Sequence, residues 1–149
     1  MPVQVAPITV QYIVKLFQLG CYNTNHFFRV DKGFVAQVAD VVYGRLVPLS
    51  PMQKKATETT IPLEVTPDVI HEEGTLSIGR HADPNSGGSS FSILYGRQRH
   101  LDMQYTIFGC ASNQHSAMPY SQLHTHIRIS LAPVNFYYEG HCGNFLGHE

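Results

Sequence analysis

The stretch from Phe27 to Gln37, FFRVDKGFVAQ, constrains the fold most, because it predicts a strand, a tight turn and a second strand. The segment Asp31-Lys32-Gly33 supplies the turn, since its glycine is free to take a positive φ. Side chains alternate along a strand, so the pattern predicts that Phe27 and Arg29 share one face. Arg29 and Gln37 are long polar residues in an apolar hairpin, and such groups need partners if they are buried. They belong either to the solvated face of an ordinary hairpin or to a functional site.

Composition predicts a single domain with few electrostatic partners. The chain has 149 residues, 43% of them hydrophobic, which is enough for one core. A formal net charge of -1 and a pI near 6.7 give no general attraction for nucleic acid or acidic membranes. No apolar run reaches the roughly 18–20 residues of a membrane helix, and no basic region of a signal peptide is visible. We therefore expect a cytoplasmic monomer with no membrane contact, and a lost N-terminal targeting segment stays an open alternative.

The first regular element is predicted to be a helix. Thr9 has the residue type of an N-cap, and Gly20 has that of a C-terminal stop. The apolar stripe of this helix, at i, i+3, i+4 and i+7, consists of Val10, Ile13, Val14 and Phe17. This element is therefore scaffold that covers a core.

Beyond the hairpin the sequence predicts a loop and then three more strands. From Asp40 to Glu73, four prolines and a polar run indicate a long surface loop, with Val41 and Val42 extending the preceding strand. Strands follow over residues 74–79, 91–95 and 105–108. The turn cluster at 83–88 is glycine-rich, but no Gly-Lys-Ser/Thr follows it, which argues against a nucleotide site.

Three stretches resemble motifs of the cyclophilins, in the same order and at similar spacing. Phe27, Arg29, Gly33, Phe34, Gln37 and Asp40 match the family pattern FHR-x-x-x-GF-x-x-QGGD. The stretch GTLSIGRHADPNSGGSSFSIL (74–94) resembles G-x-LSMAN…PN-x-x-GSQFFI, and HLDMQYTIFG (100–109) resembles WLD-x-x-x-x-VFG. The resemblance covers roughly residues 6 to 109.

The resemblance implies a mainly β fold, a cyclophilin-like antiparallel barrel. The family barrel has eight strands and two capping helices, preceded by a hairpin. Here only residues 1–5 precede the first helix, and out-of-family sequence follows Gly109. We therefore expect an incomplete barrel over 1–109 with one capping helix near the N-terminus, and a tail over 110–149 that is a replacement strand or disordered. One hypothesis is that segments 3–5 and 127–129 fill the gap.

The resemblance also implies peptidyl-prolyl cis-trans isomerase activity in protein folding, which needs no metal or cofactor. By analogy Arg29 donates a hydrogen bond to the prolyl nitrogen, and Gln37 orients the substrate carbonyl. The proline socket would be lined by Phe34, Val35 and Leu101. The other substrate-binding positions match the family's Ala-Asn pair, glutamine, second phenylalanine, tryptophan and histidine, and are occupied here by Gly79, Arg80, Ser90, Ser92, His100 and Tyr105.

The departures from the family pattern predict weak turnover on proline-containing polypeptides. Ser92 in place of phenylalanine opens the socket, and His100 in place of tryptophan weakens cyclosporin-type inhibitors. A truncated form without function is one alternative. Two others stay open, and the first is a non-catalytic module that binds proline-containing peptides. The other is a zinc site in the tail, where the candidate ligands are His115, His124, His126, His141, Cys142 and His148.

Overall fold

The computed structural model describes residues 5–110. The tail histidines, the proposed closing segments and the predicted boundary at residue 110 lie outside or at the limit of this range. The elements, in chain order, are α1 Pro7–Gln18, β1 Phe27–Asp31, β2 Val35–Val38, α2 Val41–Gly44, α3 Pro51–Thr57, β3 Thr75–Ile78, β4 Phe91–Leu94, a 3₁₀ turn Arg99–Leu101 and β5 Ile107–Cys110. None of the helices within this range is long and apolar enough to cross a membrane.

The five strands form one antiparallel sheet in the order β1-β2-β4-β3-β5. Over the described residues β1 and β5 stand at opposite edges, so the sheet is open. The predicted mainly β class is therefore confirmed, and the open sheet of the described residues is consistent with the predicted incomplete barrel. One face of the sheet packs against α1, where the core includes Ile13 and Leu16 of the helix and Phe91 of β4.

The organising hairpin forms as predicted, with one correction. Gly33 has φ +72°, and the Phe34 N–H donates to the Asp31 carbonyl at 3.0 Å. However, a β-bulge falls between Phe27 and Arg29, so Phe27 pairs with Val38 whereas Arg29 pairs with Gln37. The prediction that Phe27 and Arg29 share a face is wrong, because the extra residue of a bulge shifts the alternation by one. Phe27 packs on the core, and Arg29 lies on the opposite face.

Helix α1 ends as predicted but begins differently. The Gly20 N–H donates to Phe17 and the Cys21 N–H to Leu16, which is a Schellman motif with Gly20 at φ +68°. At the other end Pro7 begins the helix, so Thr9 lies inside the first turn and is not the N-cap. The Glu64 carboxylate, 55 residues away, accepts the Thr9 N–H and hydroxyl at 2.8 Å each. A distant side chain thus satisfies helix donors that a local cap usually satisfies.

Of the predicted stripe of α1, Ile13 is buried, and Val10 and Phe17 pack partly buried against the core. The other buried residues of the helix are Thr9, Tyr12 and Leu16. The loop predicted between the hairpin and β3 contains two short helices. Val41 and Val42 begin α2, capped by Asp40, and do not extend β2. Ser50 and Gln53 form a capping box at the start of α3.

Candidate active site

A row of polar side chains crosses four strands on the face of the sheet opposite α1. In the strand register Arg29 of β1 lies opposite Gln37 of β2, and Gln37 lies opposite Ser92 of β4. Ser92 in turn lies opposite Ser77 of β3. Residues paired directly across antiparallel strands point to the same side. The β-bulge at Phe28 is what brings Arg29 into this row.

The Arg29 guanidinium lies at the exposed end of the row. It contacts the Asp31 carboxylate through Nε at 2.7 Å and Nη2 at 2.6 Å. Its Cζ is 5.3 Å from the centroid of the Phe34 ring. The two charged side chains are 46% and 45% exposed, so the guanidinium is within reach of a ligand that settles on this face.

Gln37 and the predicted position Ser90 lie together beside Arg29. The Gln37 side-chain amide is 3.5 Å from the Ser90 hydroxyl, which itself donates to the Val38 carbonyl at 2.8 Å. The first contact is long for a hydrogen bond, so the Gln37 amide is weakly held. Val35 points to the same side as Gln37 but is only 3% exposed. It therefore forms the base of the predicted socket and offers a ligand little surface.

The 3₁₀ turn brings His100 and Leu101 toward the tip of the hairpin. The His100 ring lies 5.8 Å from the Phe34 ring, centroid to centroid. The Gln98 side chain donates to the Gly33 carbonyl at 3.4 Å. The structure thus brings the predicted site residues Arg29, Phe34 and His100 into one chain of contacts.

Gly79, Arg80 and Tyr105 form a second group at the other end of the sheet face. The Gly79 N–H donates to the Ser90 carbonyl at 2.7 Å. The Arg80 guanidinium stacks on Tyr105 with its Cζ 4.7 Å from the ring centroid, and its Nε donates to the Gln104 carbonyl at 2.8 Å. The Arg80 guanidinium also donates through Nη1 to the His81 and Ala82 carbonyls at 2.9 and 3.5 Å, so these local contacts occupy it.

A groove of about 460 Å³ adjoins the row and joins the two groups. It is lined by the predicted residues Gln37, Gly79, Arg80 and Ser90. Asp40 and Tyr43 also line it, and Tyr43 is 89% exposed. Sequence reasoning missed Tyr43 because it placed the residue in an irregular loop. A recognised Asp40 cap followed by a helical turn was the available signal.

A buried polar cluster lies at the inner end of the row. The His71 ring is 2.9 Å from the Ser77 hydroxyl through Nε2 and 3.0 Å from the Asp102 carboxylate through Nδ1. Arg97 pairs with the other Asp102 oxygen at 2.7 Å. The serine hydroxyl, the histidine ring and the aspartate carboxylate follow one another here as they do in a catalytic triad. Ser77 and His71 are 3% and 0% exposed, so no external substrate reaches the hydroxyl and the cluster is not a hydrolytic site.

The cluster also shifts the pKa values of its members. Burial lowers the pKa of His71, and this effect outweighs the hydrogen bond with Asp102. For Asp102, burial acts to raise the pKa, but hydrogen bonds from Arg97 and His71 outweigh it and lower the pKa to about 2. The His71 ring is therefore neutral and the Asp102 carboxylate ionised at neutral pH. Within residues 5–110 no group of three or more His, Cys, Asp or Glu side chains could hold a metal ion.

Comparison with known proteins decides the family. The family model described as cyclophilin type peptidyl-prolyl cis-trans isomerase/CLD matches residues 1–116. The chain belongs to this family. The peptidyl-prolyl cis-trans isomerase CYP23 of Arabidopsis thaliana is 61% identical over 105 residues, which cover 70% of this chain and 46% of that protein. A peptidyl-prolyl cis-trans isomerase of Synechococcus elongatus is 40% identical over 111 residues, covering 74% of this chain and 70% of that protein.

Solved cyclophilin structures support the same assignment. A cyclophilin-type isomerase of Cryptosporidium parvum, solved in the presence of the dipeptide Ala-Pro, matches with a TM-score of 0.55 and 26% identity. The match covers 70% of this chain and 64% of that one. This chain spans about half the length of the first curated relatives, 46% of one and 55% of another.

The cyclophilin positions predicted from the sequence thus fall into two groups. The first contains Arg29, Gln37, Phe34, His100 and Leu101 around the hairpin, with Ser92 in the same row. The second contains Gly79, Arg80 and Ser90 along the groove, with Tyr105 stacked on Arg80. The role of each residue stays a prediction, whereas the pairing of Arg29, Gln37 and Ser92 across one sheet face is a structural fact.

Proposed function

We propose that this chain accelerates rotation about X-Pro peptide bonds and thereby assists protein folding. Uncatalysed rotation takes tens to hundreds of seconds because amide resonance must be broken. Catalysis needs an apolar socket for the proline ring and a donor that favours the twisted state over either planar state. It needs no nucleophile, metal or general base. The contact of the Arg29 guanidinium with the Phe34 ring supplies a donor beside an apolar surface, which is what this catalysis needs.

The observation that carries the proposal is the register of Arg29 with Gln37 beside the Phe34 ring. A guanidinium stays protonated at any physiological pH and can donate to the prolyl nitrogen as its lone pair becomes localised. The weakly held Gln37 amide can turn to a substrate carbonyl at little cost, because its contact with Ser90 is 3.5 Å long. Phe34 supplies an apolar surface beside the guanidinium.

Weak turnover is expected, because the apolar lining is reduced. Ser92 occupies the row position between Gln37 and Ser77, so the floor of the site is polar and small at that point. His100 covers the hairpin tip at 5.8 Å from Phe34 but is exposed and lacks the indole surface of tryptophan. We therefore expect proline-containing peptides to bind loosely and cyclosporin-type inhibitors to bind weakly.

The decisive test is the cis–trans exchange rate of an Ala-Pro-containing peptide, measured by NMR exchange spectroscopy with and without the protein. The Arg29→Ala variant should abolish the acceleration. Lys32→Ala is the matched control, because it removes one exposed cation from the turn of the same hairpin. It should leave the rate within about twofold, since surface substitutions rarely matter by more than about 0.5 kcal/mol.

An unchanged rate in Arg29→Ala would contradict the assignment of Arg29 as the donor. Absence of acceleration by the unaltered protein, with well-dispersed amide signals, would contradict the catalytic proposal itself. Poor dispersion in the same sample would identify a chain that does not fold alone.

The groove beside the row favours a second candidate function, a module that binds proline-containing segments without useful turnover. Its volume of about 460 Å³ suits an extended peptide, and Tyr43 offers an exposed aromatic surface. In this case Arg29→Ala would change peptide affinity but no rate. Tyr43→Ala would weaken affinity, as followed by amide shifts on titration with the peptide.

A further inference from the structure

His71 makes five hydrogen bonds through its ring and its backbone, and the catalytic proposal gives it no role. It is 0% exposed. Its ring contacts Asp102 and Ser77, and its own backbone N–H donates to the same Asp102 oxygen at 2.8 Å. Its carbonyl accepts the Arg97 guanidinium and the Gln98 N–H at 3.0 Å each. Every polar group of this residue is therefore used.

The partners of His71 define the roles of its two ring nitrogens. An ionised Asp102 carboxylate only accepts hydrogen bonds, so the proton lies on Nδ1. Nε2 then accepts the Ser77 hydroxyl proton at 2.9 Å. The ring thus joins strand β3 to the carboxylate of Asp102 in one fixed orientation.

Four of the five His71 bonds go to a single segment, Arg97 to Asp102, which contains the 3₁₀ turn. Arg97 closes this arrangement by pairing with the second Asp102 oxygen at 2.7 Å. The segment is otherwise short of regular structure, since it forms only one turn of 3₁₀ helix. Its position over the sheet therefore depends on His71 and Asp102 at one end and on the hairpin tip at the other.

This segment carries Leu101 of the predicted proline socket and His100, another predicted substrate-binding position. They immediately precede Asp102 in the chain, so a shift of that carboxylate moves them directly. The distal contacts of the segment are weak by comparison, a 3.4 Å hydrogen bond to Gly33 and the 5.8 Å ring contact with Phe34.

We propose that His71 is a positioning residue, which holds Asp102 and thereby sets the distance of His100 and Leu101 from Phe34 and Arg29. The inference rests on the proposed function, since the socket matters only if proline is its ligand. His71 itself touches no substrate, because it is fully buried. Its contribution to the site passes through Asp102, whereas its bond to Ser77 only anchors the ring to the sheet.

Two conservative variants separate these contacts. The side-chain amide of asparagine reaches about as far as Nδ1, so His71→Asn keeps a donor for Asp102 and loses Ser77. Glutamine reaches about as far as Nε2, so His71→Gln keeps a partner for Ser77 and loses Asp102. We expect His71→Asn to retain the isomerase rate within about threefold and His71→Gln to lose about tenfold, because small misplacements of binding groups cost large factors.

The control for stability alone is Thr9→Val, which removes a buried hydroxyl bonded to Glu64 at 2.8 Å in α1. It lies on the core face, away from the site. Rates for all variants are compared at one temperature and divided by the folded fraction of each variant, because prolyl exchange itself depends steeply on temperature. Thr9→Val should then match the unaltered protein, and His71→Gln should remain slow.

A second readout uses the free protein and needs no catalysis. The methyl ¹³C shifts of Leu101 and the ring shifts of Phe34 should move in His71→Gln and stay near the original values in His71→Asn. Equal effects of the two His71 variants on rate and shifts, or Leu101 shifts that move in neither, would overturn the positioning role. Failure of the unaltered protein to accelerate exchange would refute the proposed function, and the Leu101 shifts would still decide the role of His71.

Discussion

Replacing Asp31 with asparagine should accelerate prolyl isomerisation, because the Asp31 carboxylate occupies the guanidinium that the reaction uses. In the free protein Nε and Nη2 of Arg29 both contact one Asp31 oxygen, at 2.7 and 2.6 Å. A donor to the prolyl nitrogen must leave or share this contact. The ion pair therefore stabilises the resting site relative to the transition state.

The size of the expected rate increase follows from the solvent exposure of the Arg29 and Asp31 side chains. The two side chains are 46% and 45% exposed, so the pair is a surface ion pair and contributes about 0.2–1 kcal/mol. Since about 1.36 kcal/mol corresponds to a factor of ten, removing it should raise the rate about 1.4- to 5-fold. Asparagine is also favoured at the first position of a β-turn, so the hairpin should keep its stability within about 0.5 kcal/mol.

The assay is peptide exchange at low salt and again at about 0.5 M salt, where screening acts over only a few ångström. The unaltered protein should approach the rate of Asp31→Asn as salt is added. In an Arg29→Ala background the Asp31 substitution should have no effect. A slower rate in Asp31→Asn would show that the carboxylate orients the guanidinium and does not compete for it. An equal change in the Arg29→Ala background would show that the Asp31 substitution does not act through Arg29.

Three further predictions concern the socket, the turn and the buried cluster. Ser92→Phe should raise kcat/KM about tenfold, because an added ring that covers half of the three proline methylenes contributes about 1.2 kcal/mol; an unchanged peptide affinity would contradict this. Gly33→Ala should cost about 1 kcal/mol in urea unfolding, since φ is +72° while no atom lies within 4 Å of the new methyl group, which leaves backbone strain as the cause. Burial lowers the pKa of His71, so below about pH 6.5 the unfolded chain takes up a proton that the folded chain resists, and stability falls as the pH goes from 7 to 5. The urea midpoint of His71→Asn should fall less over that range. Equal pH dependence of the two proteins would contradict the lowered pKa of His71. The charged and titratable groups that face His71 are Arg97, His100 and Asp102.

Local signals in the sequence were sufficient wherever one short segment determines its own geometry. Gly33 predicted the turn, and its φ of +72° confirms it. Gly20 predicted the end of α1, and the Schellman motif confirms that as well. In both cases a residue type with unusual backbone freedom stands where the chain must reverse or stop.

Long-range pairing and one insertion in the register account for what the sequence did not predict. The bulge at Phe28 reverses the faces of all strand residues before it, and no residue there marks a bulge. Glu64 satisfies the first turn of α1 from 55 residues away. His71 and Asp102 are 31 residues apart, so neither spacing nor composition indicates that they meet.

The two halves of the site differ in how much of the chain they need, and this difference predicts which property is lost first. Arg29, Gln37 and Phe34 lie within nine residues of one hairpin, whose turn and register hold them on the row. The socket takes Leu101 and His100 from a separate segment that depends on His71 for its position. A chain can therefore retain the donor while its socket loosens, because substitutions in the second segment leave the hairpin unchanged. Since the donor acts in the transition state and the socket acts in binding, socket variants should raise KM and leave kcat largely intact, whereas Arg29 variants should lower kcat.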